Sequence, residues 1–181
     1  MLTKRHAQQG FSLVELIFGV VIMAILLSVA APSFTEWIKN SRVRTAAEAM
    51  QNGLQLARAE AVRRNTPVQF VLGATSSWTV GCATPNADCP ATIQSRSGAE
   101  GATSSIVVAA DQSTATFNGL GRVTDAVPLS SICLGTSAGL TSACPAPTGA
   151  AERRLKIVVS TGGQIRMCNP SYSVATNPQG C

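Results

Sequence analysis

Residues 10–32 are GFSLVELIFGVVIMAILLSVAAP. Between residues 11 and 31 this stretch contains a single charged side chain, Glu15. As a helix, residues 11–31 would extend for about 31 Å, which is close to the thickness of a bilayer core. A helix is the only single segment that satisfies its own backbone hydrogen bonds in lipid. We therefore predict a transmembrane helix over residues 11–31, and the rest of the chain is interpreted around it.

Two simpler interpretations explain less of this segment. A secretory signal peptide has a shorter apolar region with its cleavage site behind it, whereas here the best cleavage candidate, the Gly10-Phe11 junction, comes first. A plain signal anchor accounts for the length but not for Glu15. An ionised carboxylate in lipid costs about 2.5 kcal/mol even on lenient scales, so it implies a partner. Cleavage after Gly10 would create such a partner, an α-amino group four residues from Glu15.

The sequence Gly10-Phe11-Ser12-Leu13-Val14-Glu15 resembles the processing site of type IV prepilins and of type II secretion pseudopilins. The resemblance implies that a prepilin peptidase removes residues 1–10 as a leader by cutting after Gly10 and methylates the new N-terminus at Phe11. It also implies that Glu15 pairs with the N-terminus of a neighbouring subunit during assembly.

Residues 32–66 are predicted to continue the helix as an amphipathic segment. Small and apolar side chains recur at alternating steps of four and three residues, which is the helical period. The members of this stripe are Val43, Ala47, Met50, Leu54, Ala57 and Ala61. We expect the stripe to pack on a sheet, and the sequence Asn65-Thr66-Pro67 to end the helix.

Residues 67–181 have the pattern of a β domain, because short β-branched runs alternate with clusters of Gly, Ser, Pro and Asn. Strands are predicted over residues 68–72, 78–80, 93–96, 105–110, 114–117, 132–134, 155–160 and 164–168. Thr161-Gly162-Gly163 is predicted to join the last two strands as a hairpin. The expected fold class is α+β and pilin-like: a long N-terminal helix, half transmembrane and half amphipathic, packed on an antiparallel β-sheet domain.

The six cysteines all follow the apolar segment, and no pair has the close spacing of a zinc site. We favour three disulfides, which form in oxidising compartments. Six cysteines allow fifteen pairings, and neighbours in the sequence favour Cys82–Cys89, Cys133–Cys144 and Cys168–Cys181.

The cysteines also decide the predicted orientation. Basic residues lie on both sides of the apolar segment, with Lys4 and Arg5 before it and Lys39, Arg42 and Arg44 after it, so the positive-inside rule alone is ambiguous. Because the disulfides require the oxidising side, we predict that the N-terminus starts in the cytoplasm and that the bulk of the chain is periplasmic or exterior. Together with the resemblance to prepilins, this implies a single-pass protein of the bacterial inner membrane. Its globular domain, residues 67–181, would be periplasmic and would enter a pilus or pseudopilus.

The single histidine, His6, lies in the predicted leader. The mature chain would therefore lack the commonest general base and metal ligand. No P-loop or GxGxxG motif is present either. We predict that the protein is not an enzyme and needs no metal or cofactor.

Two further stretches narrow the resemblance. Residues 46–70, AAEAMQNGLQLARAEAVRRNTPVQF, and residues 117–123, FNGLGRV, resemble the FimT/GspH group of minor pilins and pseudopilins. This implies a minor type IV pilin that assembles with other pilins through its N-terminal helix. The alternative is a GspH-type pseudopilin of type II protein secretion.

Some FimT-type proteins contribute to DNA uptake through a C-terminal GRxR motif. The matching site here is Gly163-Gln164-Ile165-Arg166, in which glutamine replaces the first arginine, so only Arg166 is carried over. The candidate DNA-binding residues are Arg153, Arg154, Lys156 and Arg166, and Trp78 and Tyr172 are candidates for base stacking. The alternative interpretation is that Arg153 and Arg154 are solvated residues at a sheet edge.

Overall fold

The computed structural model describes residues 11–98, 106–136, 139–147 and 152–181, and leaves out the side chains of residues 29–32. The predicted leader, residues 1–10, lies outside these ranges, as does the first residue of the strand predicted over residues 105–110. Within the described ranges the elements are α1 (Leu13–Arg64), β1 (Val68–Leu72), β2 (Trp78–Cys82), β3 (Gln94–Arg96), β4 (Val107–Ala110), β5 (Thr114–Phe117), β6 (Ser131–Gly135), β7 (Leu155–Val159) and β8 (Ile165–Cys168). The predicted α+β class, a long helix followed by antiparallel strands, is confirmed.

The chain divides into two compact units, Met1–Trp37 and Ile38–Cys181. In the part of the first unit that is described, helix α1 carries the apolar segment. No single helix of the described residues is both long and apolar enough to cross a bilayer, whereas Leu13–Ser28 and Ser33–Arg64 taken as a pair meet that criterion of length and composition.

The second unit is built on the amphipathic part of α1. All six members of the predicted apolar stripe, from Val43 to Ala61, are fully buried. They belong to one core that also contains Phe70 of β1 and Ile157 of β7. The alternation along β7 is regular, since Leu155, Ile157 and Val159 are buried while the residues between them are only partly buried. The stripe therefore packs on the β domain, as the sequence predicts.

The strands form two sheets. The first has the order β3-β2-β1-β5 and the second has the order β4-β6-β7-β8. Every neighbouring pair is antiparallel. In the second sheet Lys156 lies opposite Cys168, and Arg166 lies opposite Val158. Because side chains alternate between faces, Lys156 and Arg166 lie on the face of this sheet that points away from the core.

Helix α1 ends at Arg64 in a motif that satisfies its last carbonyl groups. The N–H of Asn65 donates to the carbonyl of Val62, and the N–H of Thr66 donates to the carbonyl of Ala61. These two bonds are those of a Schellman motif, with Asn65 in the left-handed position at φ 50°. Asparagine tolerates this conformation better than other non-glycine residues, which explains why the helix stops here.

Three disulfides join Cys82–Cys89, Cys133–Cys144 and Cys168–Cys181, the pairs that neighbours in the sequence favour. The first closes the loop after β2, the second ties β6 to the following loop, and the third ties the end of β8 to the last residue. Each of these disulfides restricts the conformations of the unfolded chain, which stabilises the native state by about 2–4 kcal/mol.

The carboxylate of Asp111 joins the end of β4 to the start of β6. It accepts hydrogen bonds from the N–H of Ser130 at 3.1 Å, from the N–H of Ser131 at 3.2 Å and from the Ser130 hydroxyl. Burial alone would raise the pKa of Asp111, but the hydrogen bonds from Ser130, Ser131 and Gln112 outweigh it and hold the pKa below its ordinary value. The ionised form is thus favoured by the fold.

A pH dependence of stability follows from this lowered pKa. The contribution of Asp111 is complete above the unfolded-state pKa, about 3.9, and is lost as the pH falls through the lower folded-state pKa. Asp111→Asn cannot titrate, so the difference in unfolding free energy between wild type and Asp111→Asn should be largest at neutral pH and should shrink below about pH 4. Denaturant unfolding at several pH values measures it. Asp88→Asn, at an exposed loop position, is the control. A difference for Asp111→Asn that stays constant with pH would contradict the role assigned to the carboxylate.

Candidate functional sites

The apolar segment of the first unit exposes its side chains on every face of the helix. Large hydrophobic residues over 11–27 are between 49% and 85% exposed, the extremes being Val21 and Phe11. A helix that is apolar all round is stable only when lipid or other apolar helices surround it. This surface is therefore a candidate for membrane anchoring and for packing against neighbouring subunits.

Glu15 lies in the first turn of α1, surrounded by these exposed apolar residues. Its side chain is exposed, and no ion pair to it is present among the described residues. The other half of the predicted processing site, Gly10, lies outside the described residues. The structure therefore places a carboxylate on an otherwise apolar helix surface.

The structure places Arg154 in the protein interior. Its side chain is 9% exposed and pairs with Glu152, with Arg154 Nε 2.9 Å from Glu152 Oε1. Arg154 Nη1 also donates to the carbonyl of Pro145 at 3.0 Å. A buried, paired guanidinium of this kind fixes the loop before β7 and cannot reach a phosphate without breaking both contacts. Arg154 is thus a structural residue, which corrects the predicted four-residue cationic cluster.

The other three candidate cations reach solvent. Lys156 Nζ donates to the carbonyl of Ala143, and Arg166 Nη2 donates to the carbonyl of Gly180, both at 3.3 Å. Lys156 and Arg166 are diagonal neighbours on the outer face of β7 and β8. Arg153 is exposed and lines a cleft beside Arg44 of α1.

The two candidate stacking residues have different surroundings. Trp78 is only 4% exposed, and its ring centroid lies 6.0 Å from that of Phe70. An added Cβ at Gly53 would come within 2.9 Å of the indole, so the helix approaches this ring closely. Trp78 is therefore a core residue and not a stacking platform, whereas Tyr172 is 46% exposed.

Comparisons with known proteins identify the family. A family model described as type II transport protein GspH matches residues 46–180. The chain belongs to this family. A second model, the prokaryotic N-terminal methylation motif, matches residues 5–31. No match was found among curated proteins.

Among solved structures, the GspH-family chain resembles the type IV minor pilin FimU of Pseudomonas aeruginosa. The TM-score is 0.52 at 15% sequence identity, and the match covers 75% of this chain and 95% of that chain. A second crystal form of FimU gives a TM-score of 0.47 at 16% identity and covers 71% and 94%. At this identity the first likeness shows that the fold is shared. Together with the two family models, it confirms the predicted resemblance to type IV pilins and pseudopilins, which are structural subunits.

The stretches that carry the resemblance to the GspH group meet in space at the end of α1. An added Cβ at Gly119 would lie 2.2 Å from Asn65 Oδ1. Gly121, at φ +73°, is close to Arg58 and Val62 of the helix. An added Cβ at Gly163 would lie 1.8 Å from the carbonyl oxygen of Gly121. In this family member the two stretches thus form a packing junction among the helix end, the turn after β5 and the β7–β8 hairpin.

Arg64 connects the same junction to the first disulfide loop. Its Nε pairs with Glu60 at 2.8 Å, and its Nη1 donates to the carbonyl of Asp88. Glu60 also accepts from Arg63 at 2.6 Å, and hydrogen bonds from Arg63 and then Arg64 lower the pKa of Glu60. Arg64 therefore holds the helix end to the loop, and Arg63 adds a second ion pair to Glu60 within the last turns of the helix. Nothing in the sequence of 63–65 alone indicates the contact with Asp88.

Proposed function

We propose that this protein is a minor type IV pilin that takes part in pilus assembly. The observation that carries the proposal is the sequence from Gly10 to Glu15 at the head of an exposed apolar helix, within the segment matched by the N-terminal methylation motif. In the proposal, prepilin peptidase removes residues 1–10 after Gly10 and methylates Phe11. Residues 11–31 then anchor the chain in the inner membrane.

The proposed arrangement places residues 32–66 as the helix that leaves the membrane and residues 67–181 as a periplasmic β domain. Support comes from the three disulfides, since disulfides persist in oxidising compartments such as the periplasm. The mature chain would assemble with other pilins through the apolar surface of α1. Glu15 would neutralise the α-amino group of a neighbouring subunit, because an uncompensated charge in lipid costs several kcal/mol.

The second candidate is a GspH-type pseudopilin of type II protein secretion. It is favoured by the description of the family that residues 46–180 match. Deleting the gene separates the two candidates. A minor pilin predicts loss of twitching motility and of surface pili with normal secretion of exoproteins. A pseudopilin predicts accumulation of exoproteins in the periplasm with normal twitching, and that result would contradict the favoured proposal.

DNA binding is a narrower extension of the pilin proposal. With Arg154 removed from the cluster, the candidate residues that could meet phosphates are Arg153, Lys156 and Arg166. Each neutralised phosphate contributes about −0.9 to the slope of log affinity against log salt. We therefore expect weak binding with a slope of about −3 at most.

Mutation of Arg166 tests this extension. The full mature chain in neutral detergent would be titrated with DNA at about 50 and 200 mM salt, the range over which phosphate contacts lose most of their affinity. Arg166→Ala should weaken binding and flatten the salt slope by about one unit, while Arg122→Ala, an exposed arginine in the turn after β5, should do neither. Undetectable binding at the lower salt concentration, or equal affinity of Arg166→Ala and wild type, rejects DNA binding.

A further inference from the structure

A cleft of about 370 Å³ lies between α1 and the part of the second sheet where β7 begins and β8 ends. Arg44 approaches it from the helix, and Arg153 approaches it from the segment before β7. The remaining polar side chains come from the C-terminal segment: Asn169, Tyr172 and Gln179. All five side chains carry hydrogen-bond donors, and no acidic residue of the described chain lines the cleft. The cleft therefore favours a ligand that is anionic and rich in acceptor atoms.

The charges around the cleft support the same conclusion. Arg44 also forms an exposed ion pair with Glu48, in which Arg44 Nε lies 2.8 Å from Glu48 Oε1. For Arg153, no acidic partner is present in the part of the chain that the structure describes, and its side chain is exposed. Residues 38–48 contain three basic side chains and one acidic one, so the helix next to the cleft carries a net positive charge.

The cleft lies close to the first residues of the second unit, where the chain enters this unit from the apolar segment. The backbone N–H of Arg153 donates to Asn40 Oδ1 at 3.2 Å, and Asn40 is only the third residue of this unit. Arg44 is six residues, or about 9 Å of helix, from Ile38. Arg44 lines the cleft while its Nε donates to Glu48 Oε1, one turn further along the helix. The exposed aromatic rings of Phe34 and Trp37 come four residues and one residue before Ile38 in the sequence, and such rings are enriched at the level of lipid headgroups.

We propose that this cleft binds the phosphate of an anionic phospholipid headgroup, with Arg44 and Arg153 as its two cationic ligands. Arginine suits this role because its planar guanidinium donates two parallel hydrogen bonds to phosphate oxygens. Leu155 and Met167 form an apolar side of the cleft, which suits the glycerol part of a lipid. Bound lipid would hold the base of the globular domain at the membrane surface until the subunit is extracted into a filament. This inference rests on the membrane anchoring proposed above.

Native mass spectrometry of the full chain in neutral detergent tests the proposal. Phosphatidylglycerol and phosphatidylcholine would be titrated in parallel, with soluble glycerol 1-phosphate as the arm that separates a lipid from a free phosphate. We expect phosphatidylglycerol to bind in preference to the other two. The double variant Arg44→Gln/Arg153→Gln removes both cations and should weaken that binding by about thirtyfold. This figure is the combined loss expected for two basic residues near an anionic lipid surface. The matched control is Arg122→Gln, which should bind phosphatidylglycerol with the affinity of the wild type.

Three results would overturn the proposal: equal binding of the two lipids, unchanged affinity in the double variant, or glycerol 1-phosphate binding as tightly as phosphatidylglycerol. Thermal unfolding of each variant establishes that it is folded, and Arg153→Gln alone provides a variant that leaves the Arg44–Glu48 pair in place. Lipid binding is measured here without assembly. Absence of lipid binding would therefore reject the cleft proposal and leave the pilin proposal intact. Conversely, a chain that does not enter pili could still bind phosphatidylglycerol in this experiment.

Discussion

Glu15→Ala is expected to leave the chain cleaved and membrane-inserted but largely absent from filaments. The substitution removes no hydrophobic surface, so the proposed anchoring by residues 11–31 should persist. It does remove the carboxylate proposed to neutralise a neighbour's α-amino group, which would then enter the apolar interior unpaired. That cost is about 2.5 kcal/mol on lenient scales, which corresponds to roughly a seventyfold loss of incorporation.

Quantifying the subunit in sheared filaments and in membranes measures this effect, and the electrophoretic mobility of the membrane form reports cleavage. Glu36→Ala is the matched control, since Glu36 is an exposed glutamate on the same helix beyond the apolar segment. It should be incorporated like wild type. Incorporation of Glu15→Ala at the wild-type level would show that the carboxylate has no part in assembly.

Gly163→Ala should destabilise the β domain by at least about 2 kcal/mol. Gly163 has φ +80°, a conformation that costs other residues about 1–2 kcal/mol. In addition, its Cβ would lie 1.8 Å from the carbonyl oxygen of Gly121. That contact is with backbone, so the hairpin or the turn after β5 must move. A melting temperature lower by roughly 6–10 °C is expected for a domain of this size.

Gly162→Ala is the control at the adjacent position. An added Cβ there would meet only Ser160 Oγ, at 3.8 Å, so its stability should stay within about 0.5 kcal/mol of wild type. Thermal unfolding of the full chain in neutral detergent, with the disulfides intact, compares the two variants. Similar melting temperatures for Gly163→Ala and Gly162→Ala would contradict the close packing of the hairpin against Gly121.

Much of the fold follows from local patterns in the sequence. The stripe from Val43 to Ala61 has the helical period and is buried as a unit, because its spacing alone determines which face of α1 is apolar. Strands β1 and β5 have the predicted limits, since β-branched runs end at clusters of turn-forming residues. The division of the eight strands into two sheets could not be predicted, because pairing depends on contacts between distant segments.

The candidate sites were less predictable for the same reason. Arg153, Arg154 and Lys156 are neighbours in the sequence, yet Arg154 is buried against Glu152 while Lys156 lies on the outer face of β7. Trp78 had the residue type of a stacking group, but the approach of Gly53 places it in the core. The cleft between Arg44 and Arg153 joins residues more than a hundred positions apart, and no local pattern indicates it.

The mass of the intact chain extracted from its native membrane shows whether the chain is processed after Gly10. We expect a chain that begins at Phe11 with a methylated N-terminus, about 14 Da heavier than the unmodified residue. The mass should also be about 6 Da below that of the fully reduced form, for three disulfides. A chain in functional filaments that still carries residues 1–10 would show that processing after Gly10 is not needed for assembly.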